Sequence, residues 1–251
     1  MSRLQDDGLI VEGTVMARNR RLPDTGFLPI GNVTALKLKT ESEKKTRTSK
    51  QKGSYGQALD TITIKKPTTV SFTLDTFDKT NLAMVLMGAD SVVDASAVKT
   101  TDQPVTVTKK GIWISLGHAN LDPTKFIVKN AAGTKVDETD YELNANIGLV
   151  LIKESCTTVQ DGEEVKITHT TKAGGGFHID ADKVSDWDLE IMVDTTNRVN
   201  GKEGKLHIPS AVIASESELD WFADDFNSAS FSGNTVLVAG YPSSYSYSEF
   251  N

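Results

Sequence analysis

Cysteine is almost absent. Cys156 stands alone in 251 residues, so no internal disulfide can form and the fold must rest on packing or on assembly. No stretch approaches the ~18 apolar residues of a membrane-spanning helix. The opening MSRLQDDGLIVEG lacks the charged-then-apolar order of a secretory signal, which predicts synthesis in the cytoplasm. Hydrophobic residues make up only 38%, yet the length suffices to bury a sizeable core in one large all-β domain or two smaller ones.

Reactive chemistry is equally scarce. His118, His169, His178 and His207 show no metal-binding helical spacing; His169 and His207 sit in alternating strands, where packing or surface roles are expected. Asp180, Asp182, Asp186 and Asp188 loosely resemble a calcium loop. Glycine is missing at the sixth position, and Ile191 replaces the bidentate glutamate. Cys156 follows an apolar strand with no histidine nearby and is expected to be a small buried residue. Neither a Gly-x-Ser-x-Gly elbow, nor a phosphate loop, nor a recognisable catalytic carboxylate pair is present. The expectation is no enzyme, no metal and no cofactor.

What the chain does have is charge in an unusual place. From Lys39 to Ser54, sixteen consecutive residues carry no apolar side chain, and the flanking segments Val33–Lys39 and Thr61–Lys66 alternate as strands do. The run holds Lys44, Lys45, Arg47, Lys50 and Lys52 against only Glu41 and Glu43, with Tyr55 just beyond. A long loop of this kind cannot bury itself in its own chain; it predicts a basic arm that becomes ordered against a partner. Charge also runs along the whole sequence: net +5 over residues 1–77, −3 over 78–177 and −9 over 178–251. That gradient suits head-to-tail association of identical copies, and equally the solvation of separate faces. Nucleic acid is a poor partner for the arm, which has no aromatic before Tyr55 on a chain of net charge −7.

Elsewhere, period-two alternation dominates. Val70, Phe72 and Leu74 alternate with Ser71, Thr73 and Asp75, and Trp187, Leu189, Ile191 and Val193 with Asp188, Glu190, Met192 and Asp194, so both segments read as half-buried strands. Further strands are expected at 105–108, 112–116, 126–129, 148–154, 164–171, 205–213 and 235–239, and Asn200-Gly201 reads as a hairpin turn. Asp78 caps a helix running from Thr80 to Met87, with Gly88 as its left-handed stop. A weaker helix or turn is expected over Glu216–Phe226. Residues 100–175 read as an inserted β subdomain, with Gly174-Gly175-Gly176 as the hinge back. Residues 1–99 and 176–251 then form the main body, and 240–251 a polar, aromatic arm.

The stretch Phe27–Leu38, the charged run, Gly53-Ser-Tyr-Gly56, the following strands and the helix resemble the N-terminal half of the major tail tube protein of long-tailed, non-contractile bacteriophages. The hairpin Asp186–Ile213, then Asp224-Asp-Phe226 and Val236–Gly240, is similar to that family's C-terminal half. The resemblance covers about residues 25–90 and 186–240. It implies a mainly β, tail-tube-like sandwich or barrel with one short helix on the sheet, and a β-rich insertion on the tube exterior. Also implied is a structural virion protein of the tail, made in the host cytoplasm, that stacks hexameric rings into a conduit for DNA. Its partners would be itself, a tape measure protein, and tail terminator or tip proteins, with double-stranded DNA only passing through. Loop 39–60, with Lys44, Lys45, Arg47, Lys50, Lys52 and Tyr55, would reach the next ring. There it would meet acids such as Glu216, Glu218, Asp220, Asp224 and Asp225. Asp188, Glu190 and Asp194, on the polar face of their strand, are candidates for the lumen or for the outer solvent. The competing readings are a monomeric β-sandwich binding module, such as a decoration or adhesin-like protein, and a calcium-assisted carbohydrate-active protein using the aspartates at 180–188.

Overall fold

The computed structural model describes residues 8–22, 26–93 and 96–250; the first seven residues, part of the segment read above for a secretory signal, lie outside them. Strands β1 (Val11–Asn19), β2 (Leu28–Pro29) and β3 (Val33–Lys39) are followed by β4 (Ser42–Thr48), β5 (Ala58–Lys65) and β6 (Thr69–Leu74). Helix α1 (Lys79–Val85) and β7 (Ala89–Val93) lead to β8 (Lys99–Val107), β9 (Trp113–Ser115) and β10 (Ile127–Lys129). Next come β11 (Tyr141–Asn144), β12 (Leu149–Ile152), β13 (Glu163–Thr170) and β14 (Gly176–Asp180). The chain ends with β15 (Trp187–Asn197), β16 (Glu203–Ser215), β17 (Ala229–Thr235) and β18 (Ser246–Phe250). The fold is mainly β with one short α-helix.

Two compact units divide this path. Unit 1 takes the chain up to Ser91 and from Ile179 onward; unit 2 is Val92–His178. β7 and β14, which pair with each other as a two-stranded ribbon, each straddle a boundary between the units; the sequence placed the insertion at 100–175.

Unit 1 is built on one antiparallel sheet in the order β2-β1-β15-β16-β17-β6-β3, with β18 on the free half of β16. Alternation drives it: Leu189, Ile191 and Val193 of β15, Val70, Phe72 and Leu74 of β6, and Val15 and Ala17 of β1 all enter one buried cluster. β1 and β6 lie toward opposite edges of the sheet, and both contribute to that core. At its centre Phe72 stacks on Phe231 with centroids 5.0 Å apart; each fully buried ring contributes roughly 1.5–3 kcal/mol. Helix α1 closes the core with Met84 and Val85. The Asp78 carboxylate accepts from the Asn81 amide N at 2.7 Å as the N-cap, and buried Asn81 donates to the Ile30 and Thr76 carbonyls. The left-handed residue after the helix is Met87, at φ 48°, rather than Gly88. Gly88 is needed for a different reason: a Cβ there would lie 2.8 Å from the Asp180 carbonyl oxygen.

Unit 2 is a small sandwich. Sheets β10-β13-β8 and β11-β12-β9 enclose a second core in which Val107, Val128 and Ile167 meet Tyr141, Val150 and Ile152. Cys156 is buried in that core.

Three expectations need correction and one is narrowed. Residues 235–239 are not a strand beyond Thr235, where β17 ends, and Val236 and Leu237 face solvent. The C-terminal arm is ordered as β18 against Glu203–His207. Of the helix or turn expected over Glu216–Phe226, the structure has a turn at Trp221-Phe222 and no helix. The basic run is no irregular loop: β4 pairs with β5 from Ser42↔Lys65 to Thr48↔Ala58.

Candidate functional site

The β4–β5 hairpin is anchored at its base, its two strands are wet throughout, and at its tip Ser49 is buried and Ser54 half-buried. The Lys66 amide donates to the Glu41 carbonyl at 3.0 Å, and the Thr40 hydroxyl lies 3.2 Å from the Tyr245 hydroxyl of the C-terminal segment. At the tip, the Ser49 and Ser54 hydroxyls meet at 2.7 Å, and the Lys50 ammonium lies 5.1 Å from the Tyr55 ring centroid. Every residue of both strands is exposed. An isolated two-stranded ribbon is marginally stable in water at best, so this one has pairing but no core of its own.

Its two faces differ. Residues directly opposite in an antiparallel ladder point the same way, so Glu43 with Ile64, Lys45 with Ile62, and Arg47 with Asp60 share one face. The other face carries Ser42 with Lys65, Lys44 with Thr63, and Thr46 with Thr61. Ile62 is 59% exposed and Ile64 42%, and the Arg47 guanidinium is held against Asp60 at 2.6 Å. The first face is therefore apolar with balanced charge, Lys45 and Arg47 against Glu43 and Asp60, and the second is polar and cationic. The isoleucines were legible in the sequence as alternation, but that pattern reads as a half-buried strand, not as a strand whose apolar residues stand in water.

A second exposed feature lies at the other end of the same strands. Register places Lys39, Thr69 and Asn234 level with one another, and Val33, Leu74 and Ala229 level about 17 Å away. The hairpin extends from the first end. The segment 216–228, between β16 and β17, extends from the second. It carries Glu216, Glu218, Asp220, Asp224 and Asp225 and no basic residue. Only Leu219 packs against the core. Trp221 is 68% exposed, Phe222 95% and Phe226 97%. Local bonds shape it: Asp220 accepts from the Phe222 amide, Asp225 from the Phe226 amide, and the Asn227 side chain donates to the Asp220 carbonyl. Residues 41–66 hold seven basic and three acidic side chains, a net of +4, against −5 for 216–228. The large sheet thus has one cationic and one anionic end.

The lumen candidates fare differently. On the face of the sheet away from the core, β1 sits beside β15 in a register that matches Arg18 to Glu190. Arg18 binds Glu190 at 2.6 Å, Arg20 binds Asp188 at 2.8 Å, and Arg21 binds Asp186. The Ser210 hydroxyl takes the other Asp188 oxygen at 2.7 Å, and His207 Nε2 lies 2.8 Å from Glu190. Glu190 is only 4% exposed, so neither it nor Asp188 presents free charge to a channel or to solvent. Burial on its own would raise the Glu190 carboxyl, but the bonds from His207 and Arg18 and the arginine charge outweigh it and hold it below the usual glutamate value. Asp194 alone of the three is exposed, level with Thr14 and Lys205. The same arginines occupy Asp186 and Asp188 of the suggested calcium cluster, and among the described residues no group of three or more His, Cys, Asp or Glu could hold a metal ion.

In unit 2, buried His169 faces exposed His118, Nε2 to Nδ1, at 3.2 Å. Burial, with the neighbouring imidazole, pushes His169 below the usual histidine value, and its Nδ1 has no hydrogen-bond partner. This is a neutral packed histidine rather than a ligand set. Among the described residues no helix is long and apolar enough to cross a membrane.

No curated protein matches this sequence. Residues 9–251 match the family described as Protein of unknown function UCP028589, and the chain belongs to that family.

Proposed function

We propose that this protein is a structural subunit that polymerises with copies of itself, and that it builds a bacteriophage tail tube. One observation carries the reading: a single sheet bears a cationic, solvent-exposed hairpin at one end and an anionic, solvent-exposed segment at the other. Contact between unlike ends is heterologous, and a heterologous contact that does not close generates an open-ended assembly. The sheet's outer strands β2 and β3 and the short β18 leave backbone groups that lateral neighbours in a ring would pair, removing edges that otherwise invite aggregation. Hexameric stacking, placement of unit 2 on the tube exterior, contacts with tape measure, terminator or tip proteins, and passage of DNA belong to this proposal through the sequence resemblance. The arginine-neutralised carboxylates at 188 and 190 offer a passing duplex no strong field of either sign, which suits a channel that must not bind phosphate.

Negative-stain microscopy of the purified chain over a range of concentrations tests the reading. Rings or stacked tubes are expected. Single copies at every concentration would overturn it and favour a monomeric binding module.

A further inference from the structure

We infer that the aromatic segment 216–228 is the socket for the apolar face of the hairpin from a second copy, so that the contact between subunits has a hydrophobic centre inside a charged rim. This rests on the assembly reading above and specifies which surfaces meet. Three large aromatics within six residues, all standing in water, are costly to leave exposed, and contiguous apolar patches on soluble proteins mark interaction sites. Trp221, Phe222 and Phe226 can together cover about 500 Å², a large part of the ~800 Å² each partner contributes to a standard interface.

Charge selects the occupant. The five carboxylates around the aromatics repel anionic lipid headgroups and acidic partners and favour a cationic one. The hairpin is such a partner, with a net charge of +4 over residues 41–66, and its face with Ile62 and Ile64, where Lys45 and Arg47 stand against Glu43 and Asp60, offers aliphatic surface in a strand ribbon that lacks a core. Its own copy of the socket is out of reach, because hairpin and segment leave opposite ends of the strands. A second copy can supply it. Lys44 and Lys65, on the opposite hairpin face, supply the cationic rim around that apolar centre.

Two double variants test the assignment: Ile62→Ser with Ile64→Ser, which disables the hairpin, and Phe222→Ser with Phe226→Ser, which disables the socket. All four side chains are exposed, so each variant is expected to fold, with an unchanged circular dichroism spectrum. By sedimentation velocity, each alone is expected to lose assembly affinity by more than about tenfold. Mixed one to one, they are expected to associate through the remaining intact hairpin and intact socket, and to stop there without growing polymers. If the native chain polymerises and either variant polymerises equally well, or the mixture shows no association, the socket assignment is overturned while the assembly reading stands. A native chain that never leaves the single-copy state overturns both.

Discussion

Units 1 and 2 solve the same problem in opposite ways. Unit 2 folds two three-stranded sheets over a shared core, and its buried histidine is kept neutral. Unit 1 spends a comparable core on one large sheet, then leaves a hairpin with two fully exposed strands and three exposed aromatics at the sheet's ends. Unit 2 exposes apolar residues as well, but its most exposed aromatics, Phe177 and Trp113, are 46% and 42% exposed, against 95% and 97% for Phe222 and Phe226 of unit 1. The difference separates a self-sufficient sandwich from a scaffold whose surfaces are completed by something else.

The comparison can be broken most severely at the cores. Phe231→Ala empties the ring that stacks on Phe72 and is expected to destabilise unit 1 by about 3–5 kcal/mol. Calorimetry should show the unit 1 transition falling while that of unit 2 stays in place. A joint shift of both would mean that the units unfold as one. Smaller is the effect of Glu190→Ala, which strands His207 and Arg18; it is expected to cost about 2 kcal/mol by urea titration, moderated because Arg18 can return to solvent. A variant as stable as the native chain would remove the charge network from the account.

Acid distinguishes the units next. His169 is depressed below 6.5 in the folded chain, so the unfolded state binds its proton first. The stability tied to neutral His169 is whole above pH 6.5 and declines as pH falls toward the folded value. Glu190 is depressed below 4.5, and its contribution is whole above pH 4.5 and lost only as pH drops through the lower folded value. Between pH 6.5 and 4.5, unit 2 should lose stability while the Glu190 contribution to unit 1 persists, read as two transitions in calorimetry. His169→Leu should flatten the unit 2 response over that range; an unaltered pH response would assign it to another group. Least of all should Ile62→Ser with Ile64→Ser change the melting of unit 1, within about 0.5 kcal/mol, even as assembly fails.

Much of this architecture was legible in the residues. Period-two alternation located β6 and β15, and Asp78 marked the start of α1, because burial on one face and capping leave local traces. Strand β4 left none: with both faces wet, SEKKTRT has no apolar period to read, and only its pairing to β5 makes it a strand. The reverse happened at Val236 and Leu237, apolar residues that alternate with nothing buried. Polar placement of Asp188 and Glu190 on the face away from the core was readable from parity. Their neutralisation by Arg20 and Arg18 was not, because it depends on a register between strands about 170 residues apart in sequence. Leu219 points inward while Trp221 and Phe222 point out, a choice the turn makes and composition does not reveal.

Charge exchange between the two ends of the sheet tests the central claim most directly. Lys45→Glu with Arg47→Glu is expected to abolish polymers in negative stain, and adding Asp220→Lys with Asp224→Lys to that same chain is expected to restore them. Polymers that survive the first pair of changes, or that fail to return with the second, would contradict assembly through oppositely charged ends.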